Sequence, residues 1–239
     1  MAIMIPGELD FVLDLLGFEW PNVNEDAVRD AATLVRGLRE DLQGTLDTLD
    51  DRIDGELAAA FKSKAATAYI EAWTENRTQN MDQLLDVLPE AAGGIDIISD
   101  AIVALKTKVI VELGITAAQI AAAAASAVLT LGASAAATAA IIVARKKALD
   151  IITDLAVEEL FARVAIMVIE PLTGTVSSLA MAMVDAPLTS SGGSDVPVFD
   201  ADYAVMLDVA DALDDAGAEQ REIGMNFAAN VSALPIFAE

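Results

Sequence analysis

Histidine and cysteine are absent from the 239-residue chain, and only 5% of its residues are aromatic. Without cysteine the chain can form neither a disulfide nor a thiolate nucleophile, and without histidine it lacks the usual general base. The common zinc sites need imidazole or thiolate ligands, so they are excluded as well. Paired carboxylates such as Asp50 and Asp54 have acid–base capacity, but nothing in the sequence places them in a pocket.

Basic residues are also scarce, because 14 Lys and Arg stand against 38 Asp and Glu and give a formal net charge of −24. A surface this acidic repels phosphate groups, so we expect no nucleic-acid partner. Hydrophobic residues nevertheless make up 55% of the chain, more than a disordered chain carries. We therefore predict a folded protein that is not an enzyme and has no cofactor and no metal site.

Proline is rare enough to leave long uninterrupted stretches between Pro21 and Pro89 and between Pro89 and Pro171. Both stretches are rich in Ala, Leu and charged residues that favour helix, and no segment alternates as an amphipathic strand does. The predicted fold class is all-α. We expect an elongated helical bundle built on long antiparallel helical hairpins, with a central Ala-rich hairpin.

The first long helix is predicted to begin after Asn24, whose side chain can cap the helix. Its apolar residues recur every three or four positions and form one stripe, which predicts packing against another helix on one side. The stripe consists of Val35, Leu38, Leu42, Leu46, Leu49, Ile53 and Leu57. Acidic residues flank it, among them Glu40, Asp41, Asp47, Asp50, Asp51 and Asp54. They lack the order of a calcium-binding loop, so we interpret them as a solvated face.

The remaining segments are separated by proline and glycine. A second helix is predicted from Ala58 or Lys64 to Leu88, where Pro89 and the Gly93-Gly94 pair should interrupt or bend it. We divide the chain into an N-terminal cap segment (1–22), a helical bundle (23–187), a linker (188–199) and a C-terminal amphipathic helix (200–239).

The centre of the chain, residues 113–144, contains no charged residue. This length exceeds the ~20 residues that a membrane-spanning helix needs. Small residues dominate it, however, and Gly132 lies where a turn between two antiparallel helices would be. Two interpretations stay open: a buried hairpin of a soluble protein, and a hairpin that enters a membrane. The candidate membrane-facing residues are Ile120, Val128, Leu131, Gly132, Ile141 and Ile142.

Two short motifs near the start of the chain carry a family resemblance. Pro6-Gly7 and the run from Gly17 to Pro21, Gly-Phe-Glu-Trp-Pro, are followed by acidic residues and a long helix. This pattern resembles the amino-terminal domains of actinobacterial type VII-secreted toxins, the family that includes the channel protein with necrosis-inducing toxin. Those domains are similar to small secreted proteins in which a Trp-x-Gly turn joins two helices. Here Ile53-Asp54-Gly55 takes the place of that turn, with Phe61 eight positions after Ile53.

The resemblance implies a non-enzymatic targeting module that docks small Trp-x-Gly-type helical proteins or the type VII secretion machinery and leads a toxin or effector for export. The residues that it points to as partner-binding are Leu46, Leu49, Ile53, Gly55, Leu57 and Phe61. The alternative function is an α-helical pore-forming or membrane-associated assembly protein that inserts the 113–144 hairpin, with a homo-oligomer as a further expectation.

The resemblance also implies a location outside the cell or in its envelope, reached without a cleaved leader after a cytoplasmic stage. The sequence agrees in part, because the first basic residue is Arg29 and a Sec signal peptide needs a basic start. The family's Tyr-x-x-x-Asp/Glu secretion tag is not met. Tyr69 is followed at that spacing by Trp73, and Tyr203 by Leu207.

Overall fold

The computed structural model describes residues 2–20, 22–130, 134–164 and 200–237, and gives the side-chain environment for all of these except 125–130, 134–138 and 155–164. The linker predicted at 188–199, and Leu131 and Gly132 of the predicted membrane hairpin, lie outside the described residues. So does the side-chain environment of Val128.

The described residues are almost entirely helical, which confirms the predicted all-α class. A 3-10 turn (Gly7–Leu9) leads into α1 (Asp10–Leu16), and α2 (Glu25–Asp50) ends in a π-helical turn (Asp51–Leu57). The short α3 (Ala58–Ala60) and β1 (Phe61–Lys62) precede α4 (Lys64–Asn76) and a second π-helical turn (Arg77–Met81). The long α5 (Asp82–Thr130) and α6 (Ser134–Val164) follow, and β2 (Asp200–Ala201) precedes α7 (Tyr203–Ser232).

Short polar side chains cap α2, α4 and α7. The Asn24 carboxamide oxygen accepts hydrogen bonds from the amides of Asp26 and Ala27 at 3.1 and 3.2 Å, which confirms Asn24 as the cap of α2. Ser63 caps α4 through the Ala66 amide. Asp202 caps α7, because its carboxylate accepts hydrogen bonds from the free amides of Ala204 and Val205 in the first turn.

Helix α5 is continuous through Pro89, so the predicted interruption is wrong, while the alternative of a bend stays a prediction. A proline in a helix leaves the carbonyl four residues earlier without its usual amide donor. That carbonyl belongs to Leu85, and the Arg39 side chain donates a hydrogen bond to it through Nε at 3.1 Å. The arginine from α2 thus replaces the missing bond, and α5 continues through Pro89 and the following glycine pair.

The chain forms two compact units. The first comprises Met1–Asp30, Gly94–Ala165 and Pro235–Glu239, and the second comprises Ala31–Gly93 and Ile166–Leu234. Each unit takes residues from distant parts of the sequence, and the division of the chain into four segments stays a prediction.

The core of the first unit lies where α1 packs on the base of the α5–α6 hairpin. Val12 and Leu16 of α1 are buried against Val109, Leu113 and Leu149. The aromatic rings of Phe18 and Trp20 are partly buried and pack against the same core. Phe11 lies on another face of α1, and its side chain is 54% exposed.

A buried ion pair anchors the N-terminal segment to this unit. The side chains of Lys106 and Glu25 are 3% and 2% exposed, and their charged atoms are 2.7 Å apart. Lys106 also donates to the carbonyl oxygens of Ile3 at 3.1 Å and Val23 at 2.6 Å, and the Ile3 amide donates to the Glu25 carboxylate. Trp20 covers the ammonium group, with 5.8 Å between the nitrogen and the ring centre. The chain segments around Ile3, around Val23 and Glu25, and around Lys106 therefore meet at this ion pair, and hydrogen bonds hold them together.

Candidate interaction surface

Most of the predicted partner-binding residues lie in the core of the second unit. Leu46, Leu49, Ile53 and Leu57 are buried, and Ile53 has no exposed surface at all. Phe61 is half-buried and Gly55 is exposed. The spacing of the stripe on α2 therefore identified the buried face correctly. The structure shows in addition what this face packs against.

The side chains at the end of the hairpin pack against α7. Val209 is 1% exposed and forms one cluster with Ile53 and Leu57. Side chains from the hairpin and from α7 surround this cluster: Phe61, Ile70, Trp73, Val205, Met206 and Leu213. We call the surface formed by Ile53, Leu57, Phe61, Ile70 and Trp73 the hairpin-end groove, and α7 lies in it.

Backbone hydrogen bonds position the start of α7 on this groove. β1 and β2 pair antiparallel, with Phe61 opposite Ala201 and Lys62 opposite Asp200. The Asp202 amide then donates to the Ala60 carbonyl at 2.8 Å. Because strand pairing fixes register, these bonds determine which side chains of α7 reach the groove.

An arginine from the π-helical turn adds an ionic contact to the apolar one. Arg52 Nη1 lies 2.7 Å from the Glu56 carboxylate and 2.9 Å from the Asp208 carboxylate on α7. The hydrogen bond and charge of Glu56, and to a lesser degree the charge of Asp208, raise the pKa of Arg52 above its ordinary value. The contact orients α7 more than it stabilises it, because these side chains are well exposed to water.

A polar cluster lies beneath the hairpin turn. Asp50 accepts hydrogen bonds from Trp73 Nε1 at 2.8 Å and from Arg77 Nε at 3.0 Å. Arg77 is nearly buried and also pairs with Asp47 and Asp82. The sequence-based interpretation of these acids as a solvated face is thus wrong for Asp50, which binds two side chains of the opposite helical arm. The Trp73 side chain packs against the cluster around Ile53, and its indole nitrogen also fixes the end of α2.

Further along α7 the contact with α2 opens into an acidic cleft of about 530 Å³. Glu40 and Asp41 line it from α2, while Glu219 and Glu222 line it from α7. Gly44, Thr45, Thr48, Ile223 and Asn226 complete its walls. The described residues contain no group of three or more side chains suited to holding a metal ion. The carboxylates of α2 and the carboxylates of α7 thus face each other across the cleft.

Among the residues of the Ala-rich hairpin whose side-chain environment is described, the buried ones lie at its base. Val109, Leu113 and Thr116 are buried in α5, and Arg145 of α6 pairs with Glu112 at 2.9 Å. Beyond the base, α5 residues such as Ala118, Ala121, Ala122 and Ala124 are exposed, and so is Val143 on α6. The prediction of a buried hairpin is therefore wrong for these exposed residues, while the side-chain environment of residues 125–138 lies outside the described part of the chain. Small side chains allow close helix approach without requiring that anything cover the outer faces.

The side-chain environment is described for three of the six candidate membrane-facing residues. Ile120, Ile141 and Ile142 are half-buried, and Ile142 packs against the core of the first unit. Among the described helices, none combines the length and the apolarity that crossing a membrane requires. Insertion of residues 113–144 into a membrane stays a prediction.

Sequence reasoning did not find two groups that hold the structure together. One is the Glu25–Lys106 pair, whose members lie far apart in sequence and resemble ordinary surface charges. The other is the pairing of β1 with β2, which involves only two residues on each strand. Neither leaves a periodic pattern, so no local signal in the sequence indicates them.

Taken together, the buried stripe and the groove filled by α7 define a helical hairpin whose end packs on another helix of the chain. A family model described as a WXG100-like domain matches residues 9–146. The match spans more than half of the chain, and the chain belongs to this family. The family relates the protein to type VII secretion. No curated protein and no solved structure matches the chain.

Proposed function

We propose that the chain is a non-enzymatic targeting and interaction module of a type VII secretion substrate. It docks small Trp-x-Gly-type helical proteins or the secretion machinery, and it leads a toxin or effector out of an actinobacterial cell. Family membership over residues 9–146 supports the link to the secretion system. The opening motifs from Pro6 to Pro21 support the link to toxin-leading domains.

The observation that carries the proposal is the way the hairpin end receives a helix. Ile53 occupies the place of the Trp in the Trp-x-Gly turn, and its side chain is fully buried against α7. A hairpin whose end accepts a helix from a distant part of the chain has the shape and apolarity to accept one from another chain. Helix-in-groove recognition of this kind uses anchors spaced by three or four residues.

Charge supports the same function. The net charge of −24 keeps a chain with 55% hydrophobic residues in solution before export. It also favours partners whose docking face is neutral or basic, since like charges across an interface reduce affinity.

Co-expression tests the proposal directly. The chain is produced together with a small Trp-x-Gly protein of its own secretion system, and the molar mass of the purified product is measured by light scattering. We expect a complex of one copy of each, and we expect Ile53→Asp to reduce its yield. Val143→Asp is the matched control, because it places the same charge on an apolar residue that is 69% exposed. If none of the small proteins of that system forms a complex with the unaltered chain, the docking function is refuted.

A further inference from the structure

The hairpin-end groove recognises more than an apolar helix face. Val209 fills its centre next to Ile53, and the residues before the helix pair with β1 in an extended conformation. The Asp202 amide adds a hydrogen bond to the Ala60 carbonyl at 2.8 Å. A ligand for this groove must therefore supply extended residues first and then an amphipathic helix in a fixed register.

The first half of α7 packs in the hairpin-end groove, but the second half places acidic side chains opposite acidic side chains of α2. Val209 and Ala216 are the buried residues of α7. Beyond them the acidic cleft begins, where Glu219 and Glu222 face Glu40 and Asp41 across open space. Two acidic helix faces repel each other, whereas a basic face would be attracted to α2 at the same positions.

We propose that the hairpin-end groove is a binding site for a partner helix that follows two extended residues and carries basic side chains in its second half. Helix α7 is the chain's own occupant of this site, and the partner binds by replacing it. The inference rests on the proposed function, because it takes the docked partner to be helical. It explains why Ile53 and Leu57, two of the predicted partner-binding residues, are buried: a helix of the same chain covers them, and the second half of that helix is mismatched in charge.

Peptide binding to the full-length chain tests the site. The probe is a fluorescently labelled peptide of residues 200–234, and its affinity is measured by anisotropy. Val209→Asp in the chain weakens the hold of α7 on the groove, so we expect this variant to bind the peptide about tenfold tighter or more, because the competent state is more populated. Leu207→Asp is the control and should bind like the unaltered chain, since Leu207 is 66% exposed on the same helix.

A second variant covers the case in which Val209→Asp does not fold, as judged by circular dichroism. Asp202→Pro removes the amide that bonds to Ala60 and the cap of α7, and it leaves the groove residues unchanged. It should also increase peptide affinity. If the folded variants bind the peptide no tighter than the unaltered chain, α7 is not a replaceable occupant and the proposal is overturned.

The charge preference is tested with two altered peptides. In one, Glu219→Lys and Glu222→Lys place basic groups opposite α2. In the other, Asp211→Lys and Asp215→Lys make the same charge change at exposed positions that do not line the cleft. The first should bind the Val209→Asp chain tighter than the second, and equal affinity would refute the preference for a basic face. These assays contain no secretion component, so their failure is distinguishable from failure to form the complex with a small Trp-x-Gly protein.

Discussion

Replacing Lys106 by Met should destabilise the first unit strongly. The substitution leaves the Glu25 carboxylate buried without its counter-charge and removes the donor to the carbonyls of Ile3 and Val23. Removing one member of a buried, hydrogen-bonded ion pair costs about 3–5 kcal/mol. With a urea dependence of about 2 kcal/mol/M, the midpoint of unfolding should fall by roughly 2 M.

Tryptophan fluorescence can follow this unit alone. Trp20 lies over the Lys106 ammonium group, and in a Trp73→Phe background it is the remaining tryptophan of the chain. Lys108→Met is the control, because Lys108 is an exposed residue of the same helix and carries the same charge. If Lys106→Met lowers the urea midpoint no more than Lys108→Met does, the ion pair does not anchor the N-terminal segment.

The pair also makes a prediction about pH. Burial by itself raises the pKa of Glu25, but hydrogen bonds from Lys106 and the Ile3 amide, together with the Lys106 charge, outweigh it and bring the pKa below its ordinary value of 4.5. A lowered carboxyl pKa gives stability that is fully present above pH 4.5 and is lost as the pH falls through the lower folded value. The stability difference between the unaltered chain and Glu25→Gln should therefore shrink below that pH. A difference that grows on acidification would contradict the assignment.

Three further substitutions test other contacts by urea denaturation. Trp73→Phe removes the hydrogen bond to Asp50 and should cost about 1 kcal/mol; no loss would mean that this bond is dispensable. Arg39→Met leaves a buried helix carbonyl unpaired and should cost about 1–3 kcal/mol, and adding Pro89→Ala should recover most of it by restoring the amide donor. Ile53→Ala opens a cavity under α7 and should cost about 2–5 kcal/mol, so a cost near zero would contradict its burial.

The sequence predicted the helices well because their signals are local. The stripe on α2 is visible in residues three and four apart, and Asn24 marks where the helix begins. Leu46, Leu49 and Ile53 are buried as the stripe requires. These features depend on side chains within one or two turns of each other, so periodicity and capping are sufficient to find them.

The sequence-based predictions are wrong where a residue that is distant in sequence supplies a contact that local patterns do not show. Pro89 normally ends or bends a helix, but Arg39 supplies the missing hydrogen bond from another helix. Asp50 looks like one more solvated acid until α4 brings the Trp73 indole to it. The position of α7 in the hairpin-end groove is equally invisible, because an amphipathic helix shows that it has an apolar face and not which surface that face meets.

The Ala-rich segment shows a different limit. Its lack of charge is compatible with burial in protein, with contact with lipid and with a partly exposed hairpin. Only the residues near Leu113 and Leu149 are buried in the described part of the hairpin, since that is where α1 packs. Composition indicated the helices of this segment but not their surroundings.

Export from a living cell tests the account most directly. The chain is produced in an actinobacterium with an active type VII system and in an isogenic strain whose secretion ATPase is inactivated, and the culture filtrates are compared by quantitative immunoblot, with a cytoplasmic protein as the control for lysis. A type VII targeting module should accumulate in the filtrate of the first strain and be lost from that of the second. Equal amounts in both filtrates, or none in either, would contradict the proposed role in secretion.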